Sequence, residues 1–455
     1  MFFFVSNQRL RCKARSHLAL AIALATGSAV VATGFADPAH AMQRKKDKRQ
    51  KEERAAYSKE FIEAYTPIDE IMKNEGGDIA AAKALVPAMK ALAISADEQF
   101  AGGNIVYNIG ARTQDQAYQL EGMKMMINSG KTAPAQIGQF NFIAYQLLTV
   151  AGQYAEGRTY LQNAIDANFS SANISTEQLR VNMAESFFSE NRFEEGLDYL
   201  SSAIEQRKAA GMEVDEHWYR RGLTVAYNNE VTPHVYDIVT TWIVDYPSQG
   251  NWRDAINITR NLNVFEHPEM LDLLRLGFRV DAIQEKYEYI DYIEAADPRR
   301  LPKEVEEVIQ HGYDTRRVSR DDIFVSDSLR TATDRIESDL ADLPALESDA
   351  RADDAGLRTV IAAGDTFLNY GESAKAEEFY AKAADMPEAD RNLVFTRLGI
   401  SQVEQGKFYE AIASFAQIQG DRAPIAQLWI AFAKQEAAAN APVPAEAEAV
   451  ASTAG

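Results

Sequence analysis

The chain has 455 residues, of which 46% are hydrophobic, enough to bury a sizeable core. Its formal net charge of −20 argues against nucleic-acid binding, because neutralising phosphates needs clustered Lys and Arg. Such a balance keeps a long exposed surface soluble.

Residues 1–41 read as an export signal. Arg9, Arg11, Lys13 and Arg15 form a basic start, and residues 18–31 are an unbroken run of apolar and small side chains. Ala39-His40-Ala41 supplies the small residues a signal peptidase needs, with cleavage before Met42; a cut after Ala36 is the alternative. The apolar run is short for a bilayer span and rich in small residues, so no membrane span is expected after cleavage. Paired arginines are missing, which points to the general secretory route and a periplasmic or cell-envelope location. Residues 44–54 (RKKDKRQKEER) carry seven basic side chains, and charge at this place hinders translocation. A cytoplasmic protein is therefore the alternative. The sole cysteine, Cys12, lies in the signal, so the mature chain would hold no disulfide, thiolate metal site or cysteine nucleophile.

Residues 42–60 are a basic, polar extension with no apolar face. From 61 to 248 small and aromatic residues recur in hairpin-like units. Gly77, Ala82 and Met89 mark a loose unit near 63, and Val106, Gly110, Gly122 and Met126 a clearer one from 103. Gly152, Tyr154, Gly157, Leu161 and Ala164 return 39 positions on as Asn191, Phe193, Gly196, Leu200 and Ala203. Asn191 in place of glycine still permits a left-handed helix cap. Trp218, Gly222, Ile238 and Pro247 suggest a further hairpin at 215–248.

Between 249 and 350 the pattern fades while helical signals persist. Ala255, Ile258 and Leu262 share a face, as do Met270, Leu273, Leu274 and Phe278. A helix opens at Pro302 and stops at Gly312. Residues 326–354 hold nine acids and few large apolar residues, which predicts a polar helix followed by a linker. The segment 351–435 restores the repeat. Gly364, Gly371, Ala376, Tyr380 and Ala383 recur 35 positions later as Gly399, Gly406, Ala411, Phe415 and Ile418. The tail 436–455 is Ala, Pro and Glu of low complexity and is expected to be disordered. No run of alternating β-branched residues occurs, so the protein is predicted to be nearly all helical.

The residues at 357–390 and 392–425, with Leu398-Gly399, Phe408 and Pro424, resemble the tetratricopeptide repeat (TPR) family, whose unit is about 34 residues of helix–turn–helix. The resemblance implies an all-α, helical-hairpin solenoid wound as a right-handed superhelix, here with a diverged middle. It also implies a partner-binding protein rather than an enzyme. Gly399 and Ala411 would sit where the helices of one hairpin cross, and Gly406 would end the first of them.

Enzyme templates are empty: no Walker-type phosphate loop, His-Glu-x-x-His or Gly-x-Ser-x-Gly occurs. His217, His234, His267 and His311 lack a second ligand at helical spacing, so no metal and no cofactor is expected. Adjacent acids such as Asp321-Asp322 carry no information about a cleft. Tyr287, Tyr289 and Tyr292, with Trp252 and Phe278, read as core or as a sugar-stacking cluster.

In the family the first helix of each hairpin lines the concave face. Carried over, its inward positions are Asn104, Tyr107, Asn108 and Ala111, then Gln139, Phe142, Ile143 and Gln146. Gln178, Val181, Asn182 and Glu185 follow, and then Glu216, Tyr219, Arg220 and Leu223. Amides beside aromatics suit an extended peptide. Asn182 and Arg220 match two places of a family clamp for C-terminal carboxylates, and Gln146 approximates a third. The clamp's lysine places hold Phe142 and Glu216, which speaks against that clamp. The expected function is an exported, non-catalytic scaffold for a protein or peptide partner. The alternative is an envelope enzyme acting on polysaccharide through carboxylates of the diverged segment. Neither partner identity nor oligomeric state is readable.

Overall fold

The structure is a computed structural model that describes residues 57–440. The expected export signal, the basic run at 44–54 and most of the tail lie outside the described residues. Within them the chain forms twenty α-helices and no strand, apart from a single bridge between Ser171 and Ile174. In chain order these are α1 (Lys59–Lys73), α2 (Ile79–Leu92), α3 (Ala96–Thr113), α4 (Gln116–Asn128) and α5 (Pro134–Val150). Then come α6 (Tyr154–Asp166), α7 (Thr176–Phe188), α8 (Phe193–Ala209), α9 (Glu216–Asn228) and α10 (Thr232–Asp245). The middle holds α11 (Gln249–Leu262), α12 (His267–Arg279), α13 (Lys286–Ala296), α14 (Pro302–Asp314) and α15 (Ile323–Arg351). The last are α16 (Leu357–Asn369), α17 (Ser373–Ala384), α18 (Arg391–Val403), α19 (Phe408–Phe415) and α20 (Ala423–Ala439). Each helix packs on its neighbours in sequence, as expected of an all-α helical-repeat fold.

Small residues set the hairpin geometry. A Cβ on Gly122 would lie 2.3 Å from the backbone nitrogen of Tyr107, so α3 and α4 touch backbone to backbone. At Gly399 it would lie 2.5 Å from the Phe415 ring, which fills the space instead. That ring in turn stacks on Trp429 at 5.8 Å, tying the hairpin to α20. The turns close by one device. Gly371 and Gly406 stand at φ 73° and 72°, and the next residue's N–H reaches back to the helix, as Lys407 does to the Gln402 carbonyl at 2.9 Å.

That device also runs through the segment where the pattern faded. Asp281 (φ 53°) and Arg316 (φ 59°) take the left-handed place, and Ala282 and Arg317 donate to the carbonyls of Gly277 and Gly312. The hairpin turn therefore recurs there at the same 35-residue step, with side chains that hide it from a search for glycine.

Three expectations change. Packing continues through residue 248, since Trp252, Ala255 and Ile256 share one core with Trp218 and Trp242. The acidic stretch expected to end in a linker is one helix, α15, up to Arg351. Helix α20 extends to Ala439, so residues 436–439 are helical; of the tail only 441–455 falls outside the described residues.

The C-terminal helices also fold back onto the middle. Residues Phe415, Trp429 and Phe432 belong to the same core as Trp242, Trp252, Leu273 and Leu276. Trp252 meets Phe432 edge to face at 6.3 Å, and Gln435 Nε2 donates to the Ile243 carbonyl.

Candidate functional site

The first helices of the N-terminal hairpins, α3, α5, α7 and α9, carry the expected groove residues. Side chains join these helices into a row. Tyr145 of α5 points its hydroxyl at the Asn182 carbonyl of α7 at 3.4 Å. Glu185 of α7 accepts from both ends of the Arg221 guanidinium of α9, one bond measuring 2.7 Å. Arg220 of α9 donates to Asn251 of α11 at 3.1 Å.

Along the row the polar groups divide into paired and unpaired. Asn108 is exposed and donates to Asn104 at 3.0 Å; Gln178 donates to Asn182 at 3.3 Å. Gln139, Gln146 and Tyr107 are half-buried, and their side chains make no hydrogen bond among the described residues. Burial raises the pKa of the Tyr107 phenol. Phe142 is held at one edge by Phe169 and Tyr145, with ring centroids 5.4 Å and 6.0 Å away.

At α9 the row's side chains are engaged with their own neighbours, and of them Tyr219 and Leu223 are buried. Arg220 lies over the Trp242 ring at 4.8 Å and also binds Glu216. Burial would raise the Glu216 carboxyl, but donors from Trp242, Asn251 and Arg220 outweigh it and hold it below the usual range. Tyr219 is 1% exposed. Burial first, then its bond to Asp245, pushes its phenol far up. Tyr219 is thus a packing residue, and a partner on the row cannot reach its ring.

In the C-terminal half the corresponding faces are closed by a buried ionic circuit that sequence reasoning missed. Arg275 of α12 binds Glu304 of α14 at 2.8 and 2.7 Å. Asn369 of α16 accepts from the Glu304 backbone N–H at 2.9 Å. Asp365 of α16 binds Arg397 of α18 at 2.6 Å. Arg397 returns to Asp272 of α12 at 3.9 Å, closing the loop. Arg422 adds a bond to Asp272 at 2.6 Å and to Glu269 at 3.0 Å, and Trp429 Nε1 donates to the Asp272 carbonyl at 3.0 Å. Asp272 is 0% exposed. Burial would raise the Glu304 carboxyl, yet Arg275 above all holds it below the usual range. No local signal reveals this circuit, because its members are spread from residue 269 to 422.

Of the acids that converge in the diverged segment, Asp272 is fully buried and Glu269 and Glu304 are partly buried, and each is paired with an arginine. The aromatic cluster there is mostly core: Trp252, Tyr289 and Tyr292 are buried, and Phe278 packs on His311 at 4.9 Å, while Tyr287 stays exposed. The histidines are dispersed, with His234 against Asp198 and His311 against Tyr289, both at 2.9 Å. Among the described residues no group of three His, Cys, Asp or Glu side chains could hold a metal ion. None of their helices is long and apolar enough to cross a membrane. A shallow concavity of about 630 Å³, lined by Arg299, Arg300 and Phe324 among others, lies away from the row. No protein-family model and no curated protein matches the chain.

Proposed function

We propose that the protein is a non-catalytic, TPR-like scaffold of the cell envelope that binds an extended segment of a partner protein along the row from α3 to α9. One observation carries this reading. Gln139, Gln146 and Tyr107 are half-buried residues on that row whose side chains have no hydrogen-bond partner among the described residues, while the charged side chains of α12 to α18 pair with one another and leave only single atoms such as Glu269 Oε2, Asn369 Nδ2 and Arg397 Nε over. Half-desolvated amides gain most from a ligand that brings its own donors and acceptors, and a peptide backbone does so at every residue. Phe142 and Tyr107 offer apolar surface to its side chains. The nearby charges are already paired, Glu185 with Arg221 and Arg220 with Glu216, so recognition rests on shape and amides more than on net charge.

Crosslinking in intact cells, then fractionation and capture of the full chain, tests this. The bound segment is then resynthesised as a peptide and titrated. Gln146→Ala with Asn182→Ala and Arg220→Ala is expected to weaken that peptide by tenfold or more, about 1.4 kcal/mol. Unchanged affinity in the triple variant removes the row as the site, and recovery with cytoplasmic proteins removes the envelope assignment.

A further inference from the structure

The block α16 to α20 meets the rest of the described chain at α15, at the α14–α16 contact where Asn369 takes the Glu304 N–H, and at a docking face. The first turns of α15 bury Val325 and Ala332 in the core of α12 to α14, and its last bury Leu343 and Ala350 against α16 to α18. Between them no residue of 333–342 is fully buried, and only Ile336 and Asp339 are half-buried. Pro344 follows inside the helix and cannot donate to the carbonyl of Leu340, which weakens the helix where that stretch ends. At the docking face α18 and α20 meet α10, α11 and α12 around Asp272.

We propose that the α16–α20 block is a hinged door, with α15 as its rod and the Asp272 circuit as an acid-sensitive latch. The groups facing one another there come from every element packed around it. Glu269, Asp272 and Arg275 lie on α12, Tyr292 on α13, Glu304 on α14, Asp365 on α16, Tyr380 on α17, Arg397 on α18 and Arg422 just before α20. Arg279 and Glu404 pair at the rim. Four carboxylates (Glu269, Asp272, Glu304 and Asp365) face three guanidiniums (Arg275, Arg397 and Arg422) at neutral pH, so every cation has at least one anion beside it. Protonating the carboxylates leaves three buried cations facing each other, a strongly unfavourable arrangement that exposure to water relieves. Apolar contacts such as Trp252 with Phe432 keep the door shut until then. Because Glu304 is held below the usual carboxylate range, opening belongs to the acid side of that range. The open state presents the charged faces of α12, α14, α16 and α18.

Hydrogen exchange with mass spectrometry on the full chain, beside small-angle scattering, reads this directly. Asp272→Asn at neutral pH is expected to speed exchange in α10–α12 and α18–α20 by about tenfold or more, raise the radius of gyration, and leave α3–α6 protected. Adding Arg422→Gln together with Glu269→Gln, which removes the cation left over and its other carboxylate partner, is expected to restore most of the protection. Unchanged exchange at the docking face in Asp272→Asn overturns the latch. The unaltered protein titrated from about pH 7 to about pH 3 serves if the variant does not fold. Loss of docking-face protection before that of α3–α6, corrected for the intrinsic rate, supports the door; simultaneous loss overturns it.

Discussion

Glu98 shows how much one side chain can hold. It is buried at the start of α3 and accepts from Ser58 N at 2.7 Å, Ser58 Oγ at 2.6 Å, Ile94 N at 3.0 Å and Ser95 N at 2.8 Å. Burial alone would raise its pKa, but the bonds from Ser58 and Ser95 outweigh that and bring it from 4.5 to about 2. A depressed carboxyl stabilises the fold above its unfolded value, and that contribution fades as pH falls from 4.5 through about 2. Glu98→Gln is expected to cost about 2 kcal/mol at neutral pH, read as a lower urea midpoint, and to flatten the acid fall over that window. An equal fall in the variant and the original would refute the assignment. Half of this arrangement was legible: Ser95 followed three positions later by Glu98 is a capping-box pattern. The other half was not, because Ser58 lies 40 residues upstream and only folding brings it near.

For the hairpins, the turns explain both what the sequence disclosed and what it withheld. Gly152, Gly371 and Gly406 mark their turns by residue type, since glycine takes positive φ without steric cost. Gln114, Glu230, Asp281 and Arg316 hold the same conformation with side chains, so the unit around α12 to α14 reads as diverged when its backbone is not. The cost of a left-handed non-glycine residue, about 1–2 kcal/mol, yields a contrast. Arg316→Gly is expected to stabilise the protein by about 1 kcal/mol, since glycine's greater unfolded-state entropy offsets part of the gain. Asp281→Gly is expected not to, because Asp281 also binds Arg317 and Gln249. Urea midpoints of the two variants decide it, and a lower midpoint for Arg316→Gly sinks the explanation.

For the molecule as a whole, α20 decides the arrangement. Leu428, Trp429 and Phe432 are buried in a core shared with α10 to α12, and the bonds from α20 to those helices span 157 to 192 residues of chain. Burying each such side chain contributes about 1.5–3 kcal/mol, and a whole domain is typically stable by only about 5–15 kcal/mol. A chain ending at Arg422 is therefore expected to lose protection from proteolysis within residues 232–279, while residues 59–166 keep theirs. Resistance of 232–279 in that shortened chain would show that the docking is incidental. None of this was legible, since periodicity reports on neighbours and the partners of α20 are not neighbours. The candidate row fared better, because Asn104, Gln146 and Asn182 follow from hairpin register alone, whereas the burial of Tyr219 depends on Tyr246 and Asp245 reaching over from the end of the next helix.

The return of α20 onto α10 bears on how such a protein lengthens over time. An open stack gains a unit by duplication at either end, since each new hairpin needs only one neighbour. Here α20, the last of the described helices, already has a face spent on an earlier helix, and a copy inserted directly after it would find no surface to cover. Lengthening is open within the first described hairpins, whose helices meet those of the same or the adjoining hairpin. Lineages that vary in length are expected to do so there, with the distance from Asp272 to Arg422 kept nearly constant.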